Sequence, residues 1–484
     1  LATPQDIYNY KLVFIIGYVL IIHMRLIFQD PRLRRQIFKL FVPFFVQEII
    51  IVLISLMSNL LLNLWHCYPS VTTGISFAFQ IFFLFQNIEI GLCFVANLFI
   101  AQHYGRGAID EVEKDYYVLL KISLGIGLLF FILVLAIPEQ LLFFANNAES
   151  RMYAVEYLRW FSPMFLITGP LIISYTMMKN THLEKICLFT SLGSLALLLT
   201  IEASTLFSLD SSHYNLALEI AASSMVIART IELIVVIIFI QKKCVVKIRF
   251  KELFKPDIER FKSVVYYGAP VIVGKISWGI GFLFITVFTS LNLTSNITTA
   301  HSLMINYDSI VSCMSNAVAS VVGVLIGREL GANRTQKAKD HATDISRLLF
   351  YMGIIEMAFF ILFLPIVMFT TAPDTLKEAG DFLWKVFVIR LIIMIPRSYN
   401  SSYVNGLFSV GGDTTYIMLS DGITAWATIV PLAYIGLHLN WDPLLIYALI
   451  QCEEIFKFPI NIWRYKQKKW AFNITKKKGI VFNE

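Results

Sequence analysis

The chain is built of long, unbroken apolar runs separated by short polar stretches, a pattern that predicts helices crossing a bilayer. Residues 116–137, 186–209, 219–241 and 348–371 approach or exceed the ~20 apolar residues that cross a ~30 Å hydrocarbon core. The runs are continuous rather than alternating with period two, so the strands of a membrane barrel do not fit and helices remain. With Pro, Gly and charge as punctuation, twelve spans are expected at roughly 36–64, 70–100, 116–137, 154–178, 186–209, 215–241, 264–290, 297–326, 344–371, 380–408, 416–438 and 443–463. One further stretch, Leu12 to Ile22, is about half a span long and is closely followed by Arg25, Asp30 and Arg32. It reads as an interfacial amphipathic helix; a thirteenth span, the alternative, would put the N-terminus outside.

Charge fixes the direction of these spans. Lys242, Lys243, Lys247, Arg249, Lys251, Lys255, Arg260 and Lys262 divide two apolar blocks of similar length, and so dense a basic loop stays on the cytoplasmic side. Alternate loops repeat the bias: Arg32, Arg34, Arg35 and Lys39, then Arg106 and Lys114, Lys179 and Lys185, Arg328, Arg334, Lys337 and Lys339, and the tail. The opposite loops hold little beyond Arg151 and Lys377. Both termini are therefore expected inside a multi-pass membrane protein. The expected division is an interfacial segment (1–35), a six-helix bundle (36–241), a basic cytoplasmic linker (242–263), a second six-helix bundle (264–463) and a basic cytoplasmic tail (464–484).

Composition agrees, with 57% hydrophobic and 15% charged residues and a mean hydropathy of +0.69. The net charge of +7 lies mostly in short loops and the tail, where it meets lipid headgroups, so no nucleic-acid partner is expected. The six cysteines are scattered singly, which suggests neither a zinc site nor a disulfide framework. No HExxH, nucleophile elbow or Walker A pattern occurs, so the chain is not expected to be an enzyme or to carry an ATP motor. It opens at Leu1 rather than Met, as expected of a fragment or processed form.

The two blocks are copies of one unit. Pro43 early in the first span has a counterpart in Pro270 early in the seventh, and Ala101-Gln102-His103-Tyr104-Gly105-Arg106 parallels Gly327-Arg328-Glu329-Leu330-Gly331-Ala332. An even number of spans per copy makes the repeats parallel, with a pseudo-twofold axis along the membrane normal and a cleft between the bundles. The expected fold class is an all-α membrane protein of twelve transmembrane helices in two six-helix bundles.

Several segments resemble the multidrug and toxic compound extrusion (MATE) transporters. Ala101-Gln102 with Gly105 is similar to the end of that family's second helix, and Ile326-Gly327 with Leu330-Gly331-Ala332 to the segment after its eighth. Ala228-Arg229-Thr230-Ile231-Glu232 resembles part of its sixth helix. Gly411-Gly412-Asp413-Thr414, Asp421, Pro431, Glu453-Glu454, Lys457 and Lys468-Lys469-Trp470 resemble the C-terminal pattern of a bacterial branch. The resemblance implies a secondary antiporter that exports organic or xenobiotic small molecules by alternating access, without a cofactor, driven by H⁺ or Na⁺. Two positions depart from the family. Ser58 stands where many relatives carry an Asp in the first helix, and Lys275, in Gly274-Lys275-Ile276-Ser277-Trp278, stands where the seventh helix carries a Glu. An ammonium cannot coordinate a metal cation.

Charges near mid-bilayer are costly and mark candidate sites. Glu48, Arg229, Lys275, Asp308, Glu356, Arg390, Glu453 and Glu454 fall there, and the substrate or coupling candidates are Lys275, Asp308, Arg390, Glu453, Glu454, Glu48 and Ser58. Lys275 and Asp308 each lie about eleven residues into consecutive spans, so both reach a depth of ~16 Å. Asp308 is accordingly the expected partner of Lys275, with Glu453 or Glu454 as rivals. Arg229 with Glu232 (i, i+3) and Glu453 with Lys457 (i, i+4) read equally as structural charge pairs. Besides an exporter, expected to act as a monomer, two alternatives stay open: a lipid-linked oligosaccharide flippase, suited by Lys275 and Arg390, and a membrane scaffold that has lost transport.

Overall fold

The computed structural model describes residues 30–476 apart from 66–68, 146, 210–213, 293–294 and 371–372. The stretch from Leu12 to Ile22 lies outside the described residues. Twelve helical spans follow one another: α1 (Pro31–Leu64), α2 (Pro69–Arg106), α3 (Ile109–Ala136), α4 (Ala148–Phe161 continued by Met164–Asn180), α5 (Glu184–Leu206), α6 (Tyr214–Lys243), α7 (Ile258–Asn292), α8 (Ser295–Gly331), α9 (Thr335–Thr370), α10 (Pro373–Ser401 continued by Ser402–Phe408), α11 (Thr414–Thr424 continued to His438) and α12 (Pro443–Gln467). Nine of them, counting bent α4 as one, are long and apolar enough to cross a membrane. The other three, α7, α10 and α12, have 25 residues or more and carry many of the buried charges described below.

Several helices outrun their apolar stretches. α3 starts with Ile109, Asp110 and Glu111, and α9 with Thr335, Gln336 and Lys337. Hydropathy ends where the hydrocarbon ends, whereas backbone hydrogen bonding continues into the headgroup layer. α4 bends by 54° where Pro163 interrupts the amide ladder. Lipid contact is written in the usual period: Ile227, Ile231, Ile234 and Ile238 form an exposed stripe along α6.

Packing displays the repeat directly. In the first bundle α2 packs on α3 and α4, α4 on α3 and α6, and α5 on α1 and α6. Adding six to each number gives the second bundle, where α8 packs on α9 and α10, α10 on α9 and α12, and α11 on α7 and α12. Between the bundles α2 meets α8, and the twofold exchanges the α1–α8 contact with the α2–α7 contact. The fold is two parallel six-helix bundles related by a pseudo-twofold axis along the membrane normal.

Among the described residues the bundles share one buried apolar core near one end, while α2 and α7 stay in contact further along, where Phe83 meets Trp278 and Phe282. A continuous apolar core near the basic loops includes Phe44, Leu98 and Ala101 from the first bundle and Val321, Leu330 and Phe408 from the second. Towards the opposite face the core divides, with Ile54, Phe85 and Phe161 in one cluster and Tyr307, Phe360 and Phe387 in another. The bundles are thereby closed against each other at the basic face. The closure is a backbone contact: a Cβ on Gly331 would lie 1.8 Å from the Gln102 carbonyl oxygen, and one on Gly105 would lie 2.1 Å from the Arg328 carbonyl oxygen. The link between bundles, 244–257, is tied down on α3, where the Tyr117 hydroxyl donates to the Lys247 carbonyl (3.0 Å) and Arg260 pairs with Glu111 and Asp115.

Gly331→Leu should therefore destabilise the protein by about 3 kcal/mol, since backbone cannot yield as a side chain would. Gly193→Leu, at a position with no atom within 4 Å of its Cβ, should leave the melting temperature in detergent nearly unchanged. Equal melting of the two variants would contradict the crossing.

Candidate functional site

Lys275 is placed by the close approach of α7 to α11, where a Cβ on Gly274 would lie 3.0 Å from the Met418 Cα. Its Nζ donates to Asp421 Oδ2 (2.8 Å) and Asn405 Oδ1 (3.1 Å), and lies 5.5 Å from the centroid of the Phe94 ring of α2. The other oxygen of Asp421 accepts from Lys457 Nζ (3.1 Å), and Lys457 also holds Glu453 one turn earlier on α12. Glu453 accepts from Thr424 Oγ1 (3.4 Å). Two ammonium groups and two carboxylates thus alternate in a charge-balanced row from Lys275 to Glu453, all of it nearly buried.

Asp308 is not the partner of Lys275. It binds Arg390 Nη1 (3.3 Å) and Arg397 Nη1 (2.5 Å), while Arg397 also donates to Ser312 Oγ (2.7 Å) and Arg390 Nε to Tyr447 Oη (2.5 Å). Equal depth did not mean proximity, because α7 packs on α2 and α11 whereas α8 packs on α1, α2, α9 and α10. Nor does either rival pair with Lys275. Glu453 reaches it only through Lys457 and Asp421, and Glu454 accepts from Asn400 Nδ2 (2.8 Å). Glu356 accepts from Ser315 Oγ.

The first bundle holds its charges in separate pairs. Glu48 lies 3.6 Å from Lys179, whose ammonium sits 4.9 Å from the Phe44 ring centroid. Arg229 pairs with Glu232 at 2.7 Å, and Glu232 also takes the Tyr175 hydroxyl. Ser58 Oγ donates to Glu202 Oε1 (2.7 Å), and Ser123 Oγ to Glu89 Oε2 (2.8 Å). Glu202 Oε2 and Glu89 Oε1 have no partner among the described residues, and both side chains are fully buried.

The MatE family model matches residues 43–201 and 270–435, two segments that begin at the repeat-related prolines Pro43 and Pro270. The chain belongs to the MatE family. It is 22% identical over 450 residues to "Uncharacterized transporter YisQ" of Bacillus subtilis (strain 168), covering 90% of this chain and 94% of that protein. It is 24% identical over 283 residues to "Probable multidrug resistance protein NorM" of Streptococcus pneumoniae (strain ATCC BAA-255 / R6), covering 55% and 59%. A multidrug resistance MATE family transporter of the MOP superfamily, solved in an outward-facing conformation, superposes with a TM-score of 0.78 at 16% identity over 94% of this chain and 99% of that one. As a MatE protein the chain is a transporter of small molecules within the membrane, not an enzyme.

In this MatE transporter the repeat relates the two lobes of the site. The offset of 227 between Pro43 and Pro270 also carries Glu48 onto Lys275, and an offset of 226 carries Lys179 onto Asn405. The first bundle therefore sets an acid against a lysine where the second sets a lysine against an amide and adds Asp421 from α11. Sequence reasoning missed Glu89, Glu202, Arg397 and the role of Asp421. The available signal was their charge inside apolar runs; their partners lie 34 to 146 residues away.

Removing Lys457 leaves Asp421 with Lys275 and strips Glu453 of the cation beside it. Lys457→Met should accordingly cost about 3 kcal/mol, the range for breaking a buried ion pair. Lys275→Met should cost less, because Asp421 keeps Lys457. Thermal unfolding of both variants in detergent checks the order, and a larger loss for Lys275→Met would refute the row as described.

Proposed function

We propose that this MatE transporter is a proton-coupled exporter of amphipathic organic solutes, working as a monomer by alternating access between its two bundles. The basic face, with both termini, is then the cytoplasmic face of a bacterial cell membrane, as the excess of Lys and Arg in its loops favours. The observation that carries the proposal is the contact between Ser58 and Glu202. The first helix lacks the acid expected from the family at Ser58, yet an acid from α5 meets that position, fully buried and with one oxygen unpartnered among the described residues.

A carboxyl buried without a cation is kept most cheaply in its protonated form, and ionising it needs water or a charged partner. Glu202 and Glu89 are carboxyls of this kind, so each can take up a proton when the first bundle closes around it and release it when the bundle opens. The acids of the Lys275 row differ, since their cations are tethered. The ammonium of Lys275 occupies the oxygens of Asp421 and Asn405 that a diffusible Na⁺ would use. Proton exchange in the first bundle and a fixed cation in the second support transport without sodium.

Reconstituted vesicles loaded with fluorescent organic dyes, with pH and Na⁺ gradients imposed separately, test this. A pH gradient should drive dye transport and a Na⁺ gradient should not. Glu202→Gln should lower gradient-driven transport about tenfold, within the usual range of a coupling free energy, while leaving dye exchange at equal pH. Lys275→Ala should impair transport more than Arg229→Ala. Transport driven by Na⁺ in the intact protein would overturn the proposal.

A further inference from the structure

The chain reverses direction after α12. Lys468 adopts φ +57°, and the segment that follows turns back across the basic face. Trp470 anchors it to the second bundle: the indole is buried, stacks on Tyr465 and donates from Nε1 to the Tyr465 carbonyl (3.2 Å). The anchor fits because Gly411 has no side chain; a Cβ there would lie 1.9 Å from the Trp470 carbonyl oxygen. Phe472 N–H then donates to the Gly411 carbonyl (3.3 Å), and Asn473 shapes the next turn by accepting from Thr475 N (2.9 Å).

Beyond this anchor the segment binds the other bundle. Gln102, buried on α2, uses both ends of its amide: Nε2 donates to the Phe472 carbonyl (3.0 Å) and Oε1 accepts from Ile474 N–H (2.9 Å). The same Nε2 donates to the Val410 carbonyl at the end of α10 (2.8 Å). Arg106 Nη1, one turn further, donates to the Thr475 carbonyl (2.8 Å). Arg328, the repeat counterpart of Gln102, also reaches across the bundles, donating to the Asn180 carbonyl of α4 (2.8 Å). Among the described residues, the Gln102 side of this reciprocal closure alone captures a further segment of chain.

We propose that residues 470–476 form a latch that holds the two bundles together at the basic face and so sets the resting balance of the transporter towards the state closed on that side. The proposal presupposes alternating access. Opening the basic face separates α2 from α10 and from the tail, which breaks the three bonds of Gln102 and the bond of Arg106 together. The anchor at Trp470 stays with the second bundle throughout.

Two variants of the full protein test the latch, each with nitroxide labels at Asp110→Cys and Gln336→Cys in a cysteine-free background, at the exposed basic-face ends of α3 and α9. Gln102→Leu removes the amide contacts; truncation after Ala471 removes the segment that Gln102 holds but keeps the Trp470 anchor. Pulsed-EPR distances should show the long-distance, basic-face-open population rising about tenfold in both, as expected when a few hydrogen bonds biasing a two-state equilibrium are lost. Arg106→Ala should produce a smaller rise. If either folded variant keeps the distance distribution of the intact protein, the latch is wrong. Whether dye or pH shifts the distribution of the intact protein reports separately on alternating access.

Discussion

The crossing of α2 and α8 is the contact on which the rest of the molecule depends. Two helices can touch backbone to backbone only where side chains are absent, and Gly105 and Gly331 clear that space reciprocally, each against the other helix's backbone. Because the two glycines are repeat counterparts, one packing solution is used twice about the twofold axis. It brings the bundles close enough to share an apolar core at the basic face, whereas the described side chains nearer the opposite face fall into separate clusters. A backbone-close crossing with a shared core at one end, and divided cores beyond it, fix where the bundles are joined.

Charge is where the two halves stop being alike. In a low-dielectric interior an ion must be met by a counter-ion or be discharged. Both bundles contain ion pairs, but the second links them into extended sets, Lys275, Asp421, Lys457 and Glu453 in one row and Asp308, Arg390 and Arg397 in another, and leaves Glu356 with a serine hydroxyl from Ser315. Glu89 and Glu202 of the first bundle likewise receive one serine hydroxyl each. The repeat supplied equivalent positions and the two halves filled them with different chemistry, as Glu48 and Lys275 illustrate.

Much of the architecture was legible in the sequence because its signals are local. Twelve spans follow from apolar runs, and the parallel repeat follows from paired prolines and glycines at nearly constant offset. Helix ends were less legible, since α3 and α9 begin with polar turns that hydropathy does not register as span. The ion pairs within one helix, Arg229 with Glu232 and Glu453 with Lys457, were legible from their spacing, and those between helices were not. Depth along a helix can be counted from sequence, but rotation about its axis and the identity of its neighbours cannot, and α7 and α8, consecutive in the chain, face different helices. Ser58 and Glu202 join α1 to α5, just as Lys275 and Asp421 join α7 to α11. The partner lies four spans on in both halves, a regularity visible only once the packing is known.

That regularity also explains why the substitutions at Ser58 and Lys275 are compatible with one fold. The helix that meets the first span of each bundle is the fifth, so a change of charge on one can be balanced on the other without disturbing the α2–α8 crossing. At Lys275 the reversed charge is balanced by Asp421, itself secured by Lys457. At Ser58 the missing carboxyl is matched by one on Glu202, which needs only a hydroxyl donor to sit there. The α1–α5 and α7–α11 interfaces can therefore vary in charge, and with it in coupling chemistry, while glycine at the crossing is fixed by the absence of room for anything larger.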